Sequence, residues 1–155
     1  MSLLKAIQRF KYQGSLHAGE SLGSLMAAFS HHAFDVTEYD VFMPVPLHLQ
    51  RLRERGFNQS LILAMAMAHK FPGELDFMTL RRTASTVPQT GLKKEERAAN
   101  VRGAFKLEDG QRVKGKKVLL IDDVYTTGST VRECARILLR GGARQVGVLT
   151  LARAL

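Results

Sequence analysis

Two adjacent carboxylates, Asp122 and Asp123, follow the apolar run 118–121 and open onto four hydroxyl side chains, Thr126, Thr127, Ser129 and Thr130, gathered around Gly128. In open parallel sheets ligands bind beyond the carboxyl ends of the strands, where this pattern puts the acidic pair. The next helix is expected to begin near Ser129 or Thr130. Its free N–H groups and the positive end of its dipole then face the same loop, which makes a site for a phosphate monoester. The carboxylates would repel a phosphate; their natural partners are sugar hydroxyls or a hydrated Mg²⁺. The combination suggests a ligand carrying a ribose, a phosphate and a metal-bound diphosphate.

Other phosphate motifs fit less well. A P-loop needs a lysine between its last glycine and its Ser or Thr, and Gly128-Ser129-Thr130 has none. A dinucleotide fingerprint needs three glycines at fixed spacing, which this loop lacks. A receiver domain also opens on an acidic strand, but too little chain follows Asp123 to build the rest of one.

The elements that must position these residues alternate along the chain. Helical spacing covers 3–11 and 20–33, with Leu22, Leu25, Met26 and Phe29 on one face. "YDVFMPVP" from Tyr39 reads as a strand ended by Pro44 and Pro46, and 59–71 is dense in helix formers. "LDFMTLRR" reads as a second strand, "TASTVPQTGLKK" as a polar loop and "KEERAANV" as a short helix. "AFKLEDGQRV" reads as an extended excursion with a turn at Asp109 and Gly110. "KKVLLID" is the next strand, "STVRECARILLRGG" a helix closed by Gly141 and Gly142, and "QVGVLTLAR" the last strand. Strands separated by helices predict an α/β fold: an open, mainly parallel sheet covered on both faces. No repeat or linker divides the chain.

Composition bounds the function. The 155 residues suffice for one domain, and 45% hydrophobic with 24% charged residues suits a soluble globular protein. No apolar run approaches the roughly 18 residues of a membrane span, and Lys5 and Arg9 interrupt the N-terminal apolar stretch, so the expectation is a cytoplasmic protein without membrane insertion. The single cysteine, Cys134, agrees with a reducing compartment and lies in the apolar stripe of a predicted helix, where it reads as a small buried hydrophobe. The five histidines lack metal spacing. A net charge of +9 implies an anionic partner: nucleic acid and a phosphorylated metabolite both fit. With no Trp and three Tyr, the aromatic interleaving of single-strand platforms is missing.

"VLLIDDVYTTGST" resembles the phosphoribosyl pyrophosphate (PRPP) motif of the type I phosphoribosyltransferases. "PVPLHLQRLRERGFNQS" from Pro44 and "RRTASTVPQTGLKKEERAANVRGAF" from Arg81 resemble one branch, the ComF family, also called amidophosphoribosyltransferase-like or GntX-type competence proteins. The resemblance runs from about Phe10 to Arg153. It implies the type I fold, with a helical hood over 1–38 and a core over 39–155. It also implies a pentosyltransferase that uses PRPP and Mg²⁺ on a nitrogenous acceptor. The alternative it carries is a non-catalytic or regulatory protein of DNA uptake, contacting DNA or the competence machinery through its basic surface. Members of this fold often pair, so a homodimer is a further expectation. ComF proteins usually carry an N-terminal cysteine-rich zinc segment; Cys134 alone cannot hold zinc, and no zinc is expected here.

Residue by residue, the resemblance implies that Asp122 and Asp123 bind the ribose hydroxyls and metal-bound waters, while Thr126, Thr127, Gly128, Ser129 and Thr130 wrap the 5′-phosphate. The turn after the first strand, with Val45, Pro46, Leu47 and His48, would be the diphosphate loop, often of unusual peptide geometry in this fold. Arg51, Arg53 and Arg55 would supply charge to the diphosphate. Arg81 and Arg82, with a mobile loop over 83–94 that includes Lys93 and Lys94, would close over the sugar. Lys93, Lys94, Glu95, Glu96 and Arg97 read equally well as a solvated helix face.

Overall fold

An apolar strand can lie at the centre of a sheet only if both of its faces are covered, and the strand that carries "VLLI" meets that condition. In the computed structural model this strand, β5 (Lys117–Tyr125), lies between β1 (Val41–Pro44) and β6 (Gln145–Arg153), with β2 (Glu74–Leu75) outside β1. All three pairings are parallel, as predicted. The structure describes residues 5–7, 16–29, 34–84 and 94–154.

Alternation along the strands sorts the core into two layers. Val41, Met43, Val118 and Leu120 pack with Val131, Cys134 and Leu138 of α5 (Ser129–Arg140) on one face. On the other, Phe42, Leu119 and Ile121 pack with Leu22 and Met26 of α1 (Leu16–Phe29) and with Leu63 and Met67 of α3 (Gln59–Lys70). Leu119, Leu120 and Ile121 are wholly buried. Truncating any of them to alanine would cost about 2–5 kcal/mol.

The N-terminal helix, in the segment expected to form a hood, lies against α3 and contributes to the core beneath it. It starts at Leu16 rather than residue 20, and its expected apolar face is corrected: Leu22 and Met26 are buried, but Leu25 and Phe29 are 41% and 61% exposed. Gly23 explains the contact, since a Cβ there would come within 2.7 Å of the Ala66 Cβ; the helices approach through their small residues and Leu25 is turned outward. Of the helix expected over 3–11, residues 5–7 are described and helical, with Ile7 buried; the rest lies outside the described residues.

"LDFMTLRR" is not one strand. Asp76 interrupts it: its Oδ1 accepts from the Met78 and Thr79 N–H groups at 3.0 Å each, and its Oδ2 accepts from Thr79 Oγ1 at 2.5 Å. The chain turns there, leaving β2 in the main sheet and starting β3 (Leu80–Arg82), which pairs antiparallel with β4 (Phe105–Leu107) in a separate ribbon. The excursion predicted around Asp109 is present, with Asp109 capping a short 3-10 turn at Gly110–Arg112. Between β3 and β4 lies α4 (Lys94–Val101); the polar loop expected before it, Lys93 included, is mostly outside the described residues. Among the described residues no helix is long and apolar enough to cross a membrane.

Candidate functional site

β5 carries the acidic pair inside the strand rather than past its end. Asp122 is in register with Thr150 of β6, and the ladder continues to Tyr125 and Arg153. Ile121 and Val124 both pack in the layer under α1 and α3, so the alternation of faces breaks across Asp122 and Asp123. Asp123 is buried, at 7% exposure, while Asp122 is half-buried. Asp122 Oδ1 accepts two hydrogen bonds, from the Asp123 N–H (2.9 Å) and from the hydroxyl of Ser60 on α3 (2.8 Å).

The strand leads directly into the hydroxyl loop. Gly128 has φ +77°, a left-handed conformation that favours glycine, and it caps α5, which begins at Ser129 as expected. Thr127 Oγ1 lies 2.9 Å from Ser129 Oγ and accepts from the Ser129 N–H at 3.4 Å. Arg132, one turn into the helix, reaches back to the carbonyls of Gly128 and Thr127. The turn is therefore closed from its carbonyl side by a side chain that the sequence reading did not single out. The Tyr125 ring covers Gly128, and the Arg153 guanidinium stands 5.7 Å from the centre of that ring.

The loop 45–48 leaves β1 beside this pair. The Val45 N–H donates to the Ile121 carbonyl at 2.9 Å, next to Asp122 in the chain. Val45 is buried, and Pro46, Leu47 and His48 are half-buried. Among the described residues no peptide is cis and no residue other than glycine has positive φ, so the unusual geometry implied for this loop is not found. His48 caps α2 (Leu49–Arg55), its Nδ1 accepting from the Gln50 N–H at 3.3 Å. The three arginines expected after the loop thus ride on a short helix. Arg51 and Arg55 are half-buried and Arg53 is exposed; Arg55 donates to Gln59 Oε1 at 3.3 Å.

Arg82 joins the cluster from the ribbon, and Arg81 beside it is exposed. The Arg82 guanidinium lies over the Phe105 ring at 5.3 Å. Burial lowers its pKa and Arg51 acts in the same direction, while the Asp122 carboxylate partly offsets it. Residues from three separate stretches, Arg51, Arg82 and Asp122, therefore share one electrostatic neighbourhood. Behind them Cys134 is wholly buried, and burial first, then Asp122, pushes its thiol far above the usual range. This agrees with its reading as a small hydrophobe. Lys94 is the first residue of α4, and Glu95 and Glu96 are exposed.

Among the described residues no group of three or more His, Cys, Asp or Glu could cage a metal. Asp122 and Asp123 are consecutive carboxylates on β5, and carboxylate oxygens suit a cation which keeps most of its waters and takes its other ligands from a substrate. A cavity of about 830 Å³ lies elsewhere, between α1 and α3, lined by Ala27, Ile62, Met65 and Ala66 with His69 and Lys70. It contains none of the residues above. Its walls are mostly apolar helix surface.

Asn58 and Ser60 stand at the end of "RLRERGFNQS", with no chemistry evident from their types alone. Asn58 was recoverable as a helix N-cap. The bond from Ser60 to Asp122 carried no local signal.

Comparison with known proteins gives the family and the fold. Residues 58–155 match the phosphoribosyl transferase domain. DNA utilization protein YhgH of Escherichia coli is 36% identical over 158 aligned positions, covering 100% of this chain and 68% of that protein. Competence protein F of Haemophilus influenzae is 33% identical, covering 96% of this chain and 66% of that one. The chain spans from about half to two thirds of the length of such relatives. A solved allosteric regulatory enzyme of purine biosynthesis superposes with a TM-score of 0.56 at 24% identity, over 86% of this chain and 25% of its own, a likeness of fold. The chain belongs to the phosphoribosyl transferase domain family, in the ComF-type branch that includes these competence and DNA-utilization proteins.

Proposed function

We propose that the chain binds PRPP with Mg²⁺ and transfers the phosphoribosyl group to or from a nitrogenous acceptor. The observation that carries this reading is the run of β5, with its acidic pair, straight into the Gly128 turn and the start of α5, with the loop after β1 hydrogen-bonded beside Asp122 through the Val45 N–H and the Ile121 carbonyl.

Displacing diphosphate from C1 of the ribose develops positive charge on the ring and negative charge on the leaving group. Catalysis is then mostly positioning and charge neutralisation, and needs no side-chain nucleophile. Held through water by Asp122 and Asp123, Mg²⁺ would neutralise part of the diphosphate charge. Thr126, Thr127, Ser129 and Thr130, with the N–H groups at the start of α5, hold the 5′-phosphate. Asp122 and Asp123 accept from the ribose hydroxyls and fix the ring. Arg51 and Arg82 face the diphosphate, assisted by the loop 45–48.

Calorimetric titration with PRPP in the presence and absence of Mg²⁺, with ribose 5-phosphate for comparison, tests the reading. Metal-dependent micromolar binding is expected, and Asp123→Asn should abolish the metal dependence with the fold retained. Absence of binding by folded protein would reject it.

The relatives' names and the net charge of +9 favour a second reading, a role in DNA use through a basic surface that includes the exposed Arg53 and Arg81. Such binding would fall steeply with salt. A salt-independent response would count against it.

A further inference from the structure

We propose that Asn58 and Ser60 are positioning residues. Together they form a bracket that sets Asp122 and the loop 45–48 relative to one another before ligand arrives. The inference rests on the PRPP reading above and deepens it.

The bracket is built in the first turn of α3. Asn58 is the N-cap, and its Oδ1 accepts from the Ser60 N–H at 3.0 Å. Its Nδ2 donates to the Val45 carbonyl at 3.1 Å, across thirteen residues. One amide thus closes the helix and ties down the start of the diphosphate loop. Two residues on, the Ser60 hydroxyl donates to Asp122 Oδ1 at 2.8 Å. With the Asp123 N–H on the same oxygen, two donors set the plane of the carboxylate. The loop and the acid lie at neighbouring strands, β1 and β5, already joined by the Val45 N–H to Ile121 carbonyl bond, and α3 packs over both and adds side-chain bonds to each.

Stability alone does not explain Ser60. It is 4% exposed, at the start of the helix face that continues through Leu63, Ala64 and Met67. Alanine there would keep the apolar face without burying a hydroxyl. What the serine adds is the directed bond to Asp122. Reactions that depend on positioning lose rate and affinity when a carboxylate can swing between rotamers.

Two substitutions separate the bracket's halves. Ser60→Ala removes the bond to Asp122, and Ser60→Thr keeps a hydroxyl. Asn58→Asp keeps an oxygen to cap α3 but replaces the donor to Val45. Melting curves establish folding, crystal structures report the Asp122 rotamer and the path of 45–48, and calorimetry reports PRPP with Mg²⁺ and ribose 5-phosphate. Ser60→Ala should bind both ligands about tenfold more weakly, with Asp122 in more than one rotamer, and Ser60→Thr should restore both. Asn58→Asp should weaken PRPP about tenfold and leave ribose 5-phosphate within twofold, because only PRPP carries the diphosphate.

Equal loss of both ligands in Asn58→Asp, or unchanged binding and an unmoved Asp122 in Ser60→Ala, would overturn the bracket. If the unsubstituted protein binds neither ligand, the PRPP reading falls. The crystal structures then decide the bracket alone, and an unmoved Asp122 in Ser60→Ala with an unmoved loop in Asn58→Asp rejects it.

Discussion

The phenol oxygen of Tyr125 stands 2.2 Å from where a Cβ on Gly128 would be, so the ring that ends β5 covers the glycine that caps α5. Gly128 is therefore constrained twice, by its φ of +77° and by the absence of space above it.

Gly128→Ala should destabilise the protein by at least about 1–2 kcal/mol from the left-handed backbone alone, with a further cost from collision with Tyr125. Combining it with Tyr125→Ala should recover the collision cost and leave the backbone cost. Urea denaturation of the single and double variants checks this. Full recovery in the double variant would mean that the backbone conformation carries no cost.

The arginines should divide by burial. Arg82 is half-buried against Phe105 and near Asp122, whereas Arg53 is exposed on α2. Arg82→Ala should weaken PRPP binding about tenfold or more, and Arg53→Ala by less than twofold, measured by calorimetry at one fixed salt concentration. Equal losses would indicate a diffuse electrostatic attraction instead of a built site.

Glu133 should make stability depend on pH. It is 8% exposed and accepts from Arg136 at 2.7 and 2.9 Å and from the Gly103 N–H at 3.0 Å, joining α5 to the turn after α4. The Arg136 hydrogen bonds chiefly, helped by Gly103, hold its carboxyl at about 2 against an ordinary 4.5. Because the folded-state pKa is depressed, the native protein binds fewer protons than the unfolded chain. The stabilisation is full above about pH 4.5 and is lost as pH falls toward 2. Since Arg136 is 42% exposed, Glu133→Gln should cost only about 1–2 kcal/mol at pH 7. The difference from the unsubstituted protein should shrink steadily between pH 4.5 and 2, as followed by chemical denaturation.

Cys134 should resist thiol reagents while the protein is folded. It is wholly buried between the sheet and α5, and burial raises its pKa, so the thiolate is scarce. Labelling by a chromogenic disulfide should track global unfolding by urea. Fast labelling without denaturant would show local opening of α5.

The chemistry of the site was legible locally. "VLLIDDVYTTGST" encodes a buried strand, an acidic pair, a glycine-permitted turn and a helix start within consecutive residues, and short-range sterics and hydrogen bonding suffice to specify all of these. The parallel sheet followed for the same reason, because strands buried on both faces must read as continuous apolar runs. Local pattern failed where a side chain overrode it. Asp76 bent a run that reads as one strand into two, through bonds to residues only two and three positions ahead. Gly23 let α1 approach α3 so closely that Leu25 was turned to solvent.

Periodicity cannot express which distant residues meet, and only the tertiary structure decided that. The sequence offered Arg51, Arg53 and Arg55 in one stretch and Arg81 and Arg82 in another; folding brought Arg82 within electrostatic reach of both Arg51 and Asp122. It likewise brought Ser60 to Asp122 across 62 positions in sequence. Type and spacing declare what a residue can do, but its partners depend on the packing of helices on a sheet. That packing is set by the sum of many apolar contacts, and no short stretch of sequence records it.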